Sequence, residues 1–352
     1  MDKKTVIWHS TSHIAKRTFF YAGGQYKTDS KGEHYYSGQM FVEGYTPNEV
    51  TKKYPLLMLH GKGQTNTNWY GTPDGREGWL DFFLKKGYVV YLAEQPARGR
   101  SAWYEADGPV TYQSTDVVEY RFTGNKGKWE QAKLHTRWPK SAEKVGQNDY
   151  EQFMKAQVQF LNNDSLTVKL VVEAMEDVLR YTGPVILLAH SQAGRFTWPI
   201  ADKYKESVMG IISIEPNGPP FSTNLALKEA ANYGITDEPL TFDPPIASPA
   251  DLCLQVVAAD APGHVSGLLQ AEPARKLPRL MNKPIMIMVS EASYHAEYDW
   301  LTSRFLTQAG VKNDFYDLPA MGIHGNGHMV MMEDNSLEIA ELISEWLQKN
   351  NL

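Results

Sequence analysis

Five apolar runs, each closed by turn residues, restrict this chain more than any other feature: "PLLMLHG" (55–61), "GYVVYLAEQP" (87–96), "PVILLAHS" (184–191), "GIISIEP" (210–216) and "PIMIMVSE" (284–291). Strands exposed on one face alternate apolar with polar residues. Continuous apolar character is what parallel strands need when helices cover both faces. "NDFYDLPAMG" (313–322) reads as a weaker final strand, and "RTFFYAGGQY" and "YYSGQMFVEGY" as an antiparallel hairpin at a sheet edge. Helical patterns fill the gaps at Trp79–Lys86, Leu166–Tyr181, Ala193–Tyr204, Tyr298–Ala309 and Leu337–Lys349. Strand alternating with helix predicts an α/β fold with a doubly wound, mainly parallel sheet.

At 352 residues the chain fits one such domain enlarged by insertions. Residues 102–150 are polar and aromatic, and 217–275 are rich in Pro, Ala and Asp. Both are too long for simple connections, so they are expected to be cap or lid excursions over an active site. Trp103, Tyr104, Tyr112, Trp129 and Trp138 in the first of them hint at a substrate with apolar or aromatic surface.

Charge narrows the function. With 35 basic against 41 acidic residues the net charge is −6, which argues against nucleic-acid binding. Cys253 is the only cysteine, so no intramolecular disulfide forms. The start, "MDKKTVIWHSTSHIAKRTFF", lacks the apolar stretch of a secretion signal, and no window offers about 18 continuous apolar residues. The expectation is a cytoplasmic protein without membrane or nucleic-acid partners, with homodimer formation left open.

In open parallel sheets, ligands bind beyond the carboxyl ends of the strands. Those ends carry His60-Gly61-Lys62-Gly63-Gln64, then Ser191, then Glu215-Pro216-Asn217, and after the last strand "GIHGNGH" (322–328). Serine, acid and histidine in that chain order match a nucleophile elbow and its partners. The tight turn at such an elbow needs small neighbours, here Ala189, Ala193 and Gly194, although the strict G-x-S-x-G form is absent. The bland alternative is a serine that merely caps a helix.

The backbone N–H groups of Lys62 and Gln192 are the predicted oxyanion hole, with Gly61 and Gly63 letting the loop approach a substrate. A phosphate loop is excluded, because "GKGQTNTN" has neither the dinucleotide glycine pattern nor a G-K-[ST] ending. Two histidines compete for the base. His328 is preferred, because Gly325 and Gly327 give it a flexible approach and structure resumes after it; His324 is the alternative. Glu215 and Glu291 both end strands, and either carboxylate would orient an imidazole.

These motifs resemble the α/β-hydrolase superfamily, and within it the esterase 713-like branch of serine esterases. The resemblance runs from about Gly38 onward through "LMLHGKGQTNTNWYGTPDGREGW", "EQPARGRSAW", "LLAHSQAG", "IEPNGPP", "YGITDEPLTFDPP", "SEASYHAEYDW" and "GIHGNGHMVMMEDNS". It implies a Ser–His–Glu triad with the acid after the sixth strand, matched by Ser191, His328 and Glu215, and a cap over the site. That branch carries adjacent cysteines in the oxyanion loop where this chain has Lys62-Gly63. The "RGRS" turn resembles a structural loop of the superfamily, which accounts for the basic pair Arg98 and Arg100.

The expected activity is serine hydrolysis of a small-molecule carboxylic ester or lactone through an acyl-enzyme, with no metal or organic cofactor. Carbon–carbon bond hydrolysis or acyl transfer would use the same triad. A small-molecule receptor could keep the fold without turnover.

Overall fold

The computed structural model describes residues 7–124, 127–221 and 231–352. Eight strands form the central sheet: β1 (Ile14–Thr28), β2 (His34–Pro47), β3 (Leu56–Leu59), β4 (Val90–Glu94), β5 (Val185–His190), β6 (Val208–Ile214), β7 (Ile285–Val289) and β8 (Asp314–Asp317). Their spatial order is β1-β2-β4-β3-β5-β6-β7-β8. From β4 to β8 all neighbours are parallel. β1 and β2 form an antiparallel hairpin at the edge, and β2 is antiparallel to β4. The doubly wound, mainly parallel arrangement read from the apolar runs is the one observed.

Alternation within the buried strands divides the core into two layers, since successive side chains face opposite sides of a sheet. Leu57, Leu59, Leu187, Ala189, Ile211, Ile285 and Ile287 pack on one side, with Val168, Val171, Met175 and Phe305. Leu56, Met58, Ile186, Leu188, Ile212, Met286 and Met288 pack on the other, with Trp79, Phe83, Ile343 and Trp346.

The covering helices are α1 (Trp79–Lys85), α4 (Asp164–Thr182), α5 (Gly194–Lys203), α6 (Asp299–Gln308) and α7 (Ser336–Lys349). Two more, α2 (Thr115–Arg121) and α3 (Asn148–Lys155), lie in or beside the 102–150 excursion. Local chemistry sets their ends. The Asn163 side chain accepts the Leu166 N–H at 2.9 Å to start α4, and Gly183 closes it at φ +69°. Ser114 Oγ accepts the Val117 N–H at the start of α2. No helix of the described residues is long and apolar enough to cross a membrane.

Both excursions are irregular. The first holds α2 and three single-turn 3₁₀ segments, and a two-residue strand at its start (Val110–Thr111) pairs with Phe160–Leu161 beyond it. The second contains a small antiparallel pair, Leu254–Val257 with Gly267–Gln270. Residues 222–230 of the second excursion lie outside the described residues.

The aromatic hint is corrected. Trp129 and Trp138 are buried with their indole N–H groups donated to the carbonyls of Ala292 and Ala142, and Tyr112 is exposed. Trp103 donates to the Gly108 carbonyl. The three tryptophans serve packing and loop closure, and the aromatic groups at the cleft are Phe122 and Tyr294.

Candidate active site

β5 ends at His190, and the chain turns sharply through Ser191, whose φ is +56°. The left-handed region costs a non-glycine residue about 1–2 kcal/mol, so the fold holds this serine in an unfavourable conformation. The following helix begins with a 3₁₀ turn, Ser191–Ala193, and becomes α-helical from Gly194, one residue after the Ala193 start read from sequence. The small residues around the serine are required by contact. A Cβ on Gly194 would lie 2.5 Å from the Pro216 side chain, and one on Gly61 would lie 3.1 Å from Ser191 Cβ. The Asn217 N–H donates to the Ser191 carbonyl at 3.1 Å, tying the elbow to the end of β6.

Glu215, one residue past β6, also has a positive φ, +46°. Its Oε1 accepts the Ser290 N–H at 2.9 Å, and its Oε2 accepts the Ser293 hydroxyl at 2.6 Å. The same Oε2 faces His328 Nδ1 at 2.5 Å. Glu215 and His328 are both fully buried. A carboxylate on Nδ1 fixes the tautomer with the proton there, leaving Nε2 free to take one.

The imidazole is held on its faces as well. His295 stacks on it at 4.8 Å between centroids with planes 11° apart, and Phe122 stacks at 5.6 Å and 12°. His190 Nε2 donates to the His328 carbonyl at 2.8 Å. His295 is itself paired through Nδ1 with Asp299 at 3.0 Å. Tyr294 places its hydroxyl 3.3 Å from His328 Nε2 and also interacts with the Ser191 side chain. No described hydrogen bond links Ser191 directly to His328, so the tyrosine hydroxyl is what occupies the reactive nitrogen.

Burial dominates the electrostatics here. It pushes the Glu215 carboxyl up to about 7, against the opposing pull of His295 and of hydrogen bonds from Ser293 and Ser290. Burial also holds the His328 imidazole well below its ordinary range, with His295 and Arg121 adding to the depression. His328 is therefore a neutral base at neutral pH. Glu215, His295 and His328 each offer a ligand atom within 4.8 Å of the others, the only such group among the described residues. The two imidazole planes are stacked and do not converge on a common point, so the set suits proton transfer better than coordination.

Opposite the elbow, the loop after β3 brings Gly61 and Lys62 to the cleft. A buried network joins it to the elbow. Arg98 donates to the Gly61 carbonyl at 2.9 Å and to Gln192 Oε1 at 2.6 Å; Gln192 Nε2 and Lys62 Nζ each reach Asp164 at 2.6 Å. This network fixes the Lys62 and Gln192 segments relative to each other. Arg100, from the same "RGRS" turn, pairs with Glu43 and Glu94.

The two alternative site residues are also brought together, but elsewhere. His324 Nδ1 lies 2.9 Å from Glu291 Oε1, with the His324 side chain 61% exposed. Neither residue borders the cleft. The glycines of "GIHGNGH" do not serve flexibility as expected. A Cβ on Gly325 would fall 2.1 Å from Thr136 Oγ1, and one on Gly327 would fall 2.7 Å from His135 Nε2. The 102–150 excursion docks directly on the histidine loop there, with Thr136 and Arg137 N–H groups on the Gly325 carbonyl and His135 on Glu333. Tyr294, His295, Asp299 and Arg121 were missed from sequence. The first three lie within the quoted "SEASYHAEYDW", but only the fold gives them a histidine to act on.

No family model matches the chain. It is 40% identical over 335 residues to the probable secreted lipase phiG of a fungal species, covering 94% of this chain and 89% of that protein. A solved structure of a novel bacterial esterase superposes over 100% of both chains with a TM-score of 0.67 and 22% identity, a likeness of fold. That relative is named as secreted, which overturns the cytoplasmic expectation. One unpaired cysteine and a polar start do not exclude export.

Proposed function

Because this chain belongs to the α/β-hydrolase superfamily and is a carboxylic ester hydrolase of the lipase and esterase type, we propose that it works through Ser191, His328 and Glu215. The single observation that carries this reading is the buried chain of contacts from Glu215 to His328 Nδ1 and from His328 Nε2 toward the elbow serine.

A substrate carbonyl entering the cleft displaces the Tyr294 hydroxyl from Nε2. His328 then accepts the Ser191 proton as Oγ attacks the carbonyl carbon. The N–H groups of Gln192 and Lys62 hold the oxyanion, and Glu215 stabilises the imidazolium. His328 returns the proton to the leaving alcohol oxygen. Water, deprotonated by the same nitrogen, then releases the acid and restores the serine. A lactone follows the same course, except that the alcohol stays on the acyl chain throughout and deacylation releases a single hydroxy acid. In this reading the 102–150 excursion is a cap, supported by Gln113, Arg121 and Phe122 at the cleft. The second excursion contributes only Asn217 there among the described residues.

The test is a paired substitution. His328→Ala lowers kcat for a short-chain ester about ten-thousand-fold or more, whereas His324→Ala stays within about threefold. Equal losses would unseat His328 as the base.

The pH profile gives a second check. The working form has Glu215 ionised, and its carboxyl is pushed up to about 7, so protons are taken up as pH falls through that value. Activity is therefore present above about 7, and kcat/KM falls about tenfold per unit below it. A flat profile down to pH about 5 would mean the carboxylate keeps its charge.

A further inference from the structure

Arg121, the last residue of α2, borders the cleft beside Ser191, Tyr294 and His328 and is 8% exposed. Its Nε has no hydrogen-bond partner, and no described carboxylate forms an ion pair with it. Other cations near the site differ at their charged ends. Arg195 pairs with Asp237 at 3.0 Å and Lys62 with Asp164 at 2.6 Å, and Arg98, whose Nε is also unpartnered, donates its terminal nitrogens to Gly61 and Gln192. The Arg121 guanidinium lies over the Tyr294 ring, its Cζ 5.5 Å from the ring centroid. Among the described residues no aspartate or glutamate lines the cleft, which adds Lys62 and the side-chain amides of Gln64 and Gln113.

A guanidinium taken out of water without an acceptor is unfavourable, and an anion entering beside it relieves that cost. Its planar fork matches a carboxylate by two parallel hydrogen bonds. We infer that the ester cleaved at Ser191 carries a carboxylate, which Arg121 anchors in the cleft. The inference rests on the ester-hydrolase reading of Ser191. It makes the preferred substrate a half-ester of a dicarboxylic acid or an ester of a hydroxy acid.

The test measures monoethyl succinate, glutarate and adipate against neutral ethyl esters in which an isopropyl group replaces the carboxylate. Acetate esters of hydroxy acids and their neutral counterparts ask the same of the alcohol side. In the wild type, kcat/KM for the best anionic ester exceeds that of its neutral partner about 100-fold. Arg121→Leu removes most of that ratio. Arg121→Lys, the variant to use if the leucine protein fails to fold, keeps part of it as charge without the fork. Preference in either series supports the anchor and tells which side of the ester bears the anion. A wild-type ratio near one, or a ratio that Arg121→Leu leaves unchanged, overturns it.

A binding measurement separates this inference from the catalytic reading. Monoethyl glutarate binding to Ser191→Ala, followed by calorimetry, weakens about 100-fold when Arg121→Leu is added. Arg121-dependent binding with no cleavage of any ester by the wild type would sink the hydrolase reading and leave the anchor standing. Ester cleavage without anionic preference would do the reverse.

Discussion

A Ser191→Ala protein treated with a fluorophosphonate and weighed intact carries no adduct, while the native chain gains one. Turnover of any ester falls by about ten-thousand-fold to a million-fold, the range seen when a serine nucleophile is removed. The fold survives, because only one oxygen is deleted and alanine occupies the left-handed position at +56° as readily as serine does. Circular dichroism and thermal melting of the two proteins therefore coincide closely. An adduct on the alanine variant, or retained turnover, would take Ser191 out of the mechanism.

The second large effect separates two carboxylates. Glu215→Gln keeps the shape and a hydrogen bond near Nδ1 but removes the charge that stabilises the imidazolium and selects its tautomer. The amide can also present N–H where the imidazole needs an acceptor. The corresponding loss for a buried triad acid is about ten-thousand-fold in kcat. Glu291→Gln disturbs a contact with the exposed His324 and with the Gly325 N–H, neither of which borders the cleft, so kcat changes by about threefold at most. The glutamine at 215 also removes the acid limb near pH 7, because the group that titrates there is gone. The reverse ranking would move the acid to the end of β7.

Much of this was readable in the chain because it is local. An apolar run that stops in serine, glutamate or a glycine-rich histidine segment states both a strand and what stands at its carboxyl end. The parallel sheet then gathers those ends on one edge. What sequence does not display is the partner of a buried polar group. Glu291 and Glu215 look alike in sequence, yet the structure places Glu215 on His328 and Glu291 on His324. Arg121 reads as one more charged residue on a short helix until Phe122 beside it is seen stacked on the imidazole. Gly325 and Gly327 suggested mobility. They are small because neighbouring side chains press on them, and that reason lies nearly 200 residues earlier, at His135 and Thr136.

That last contact bears on how such a protein can be altered. The segment that supplies Gln113, Arg121 and Phe122 also clasps the turn carrying the base, through Thr136, Arg137 and His135. On the proposed mechanism, selectivity and proton transfer therefore share one mechanical unit. Grafting residues 102–150 from a relative to change what the enzyme accepts would exchange the seating of its histidine at the same stroke, so a transplant has to carry the 322–333 turn with it.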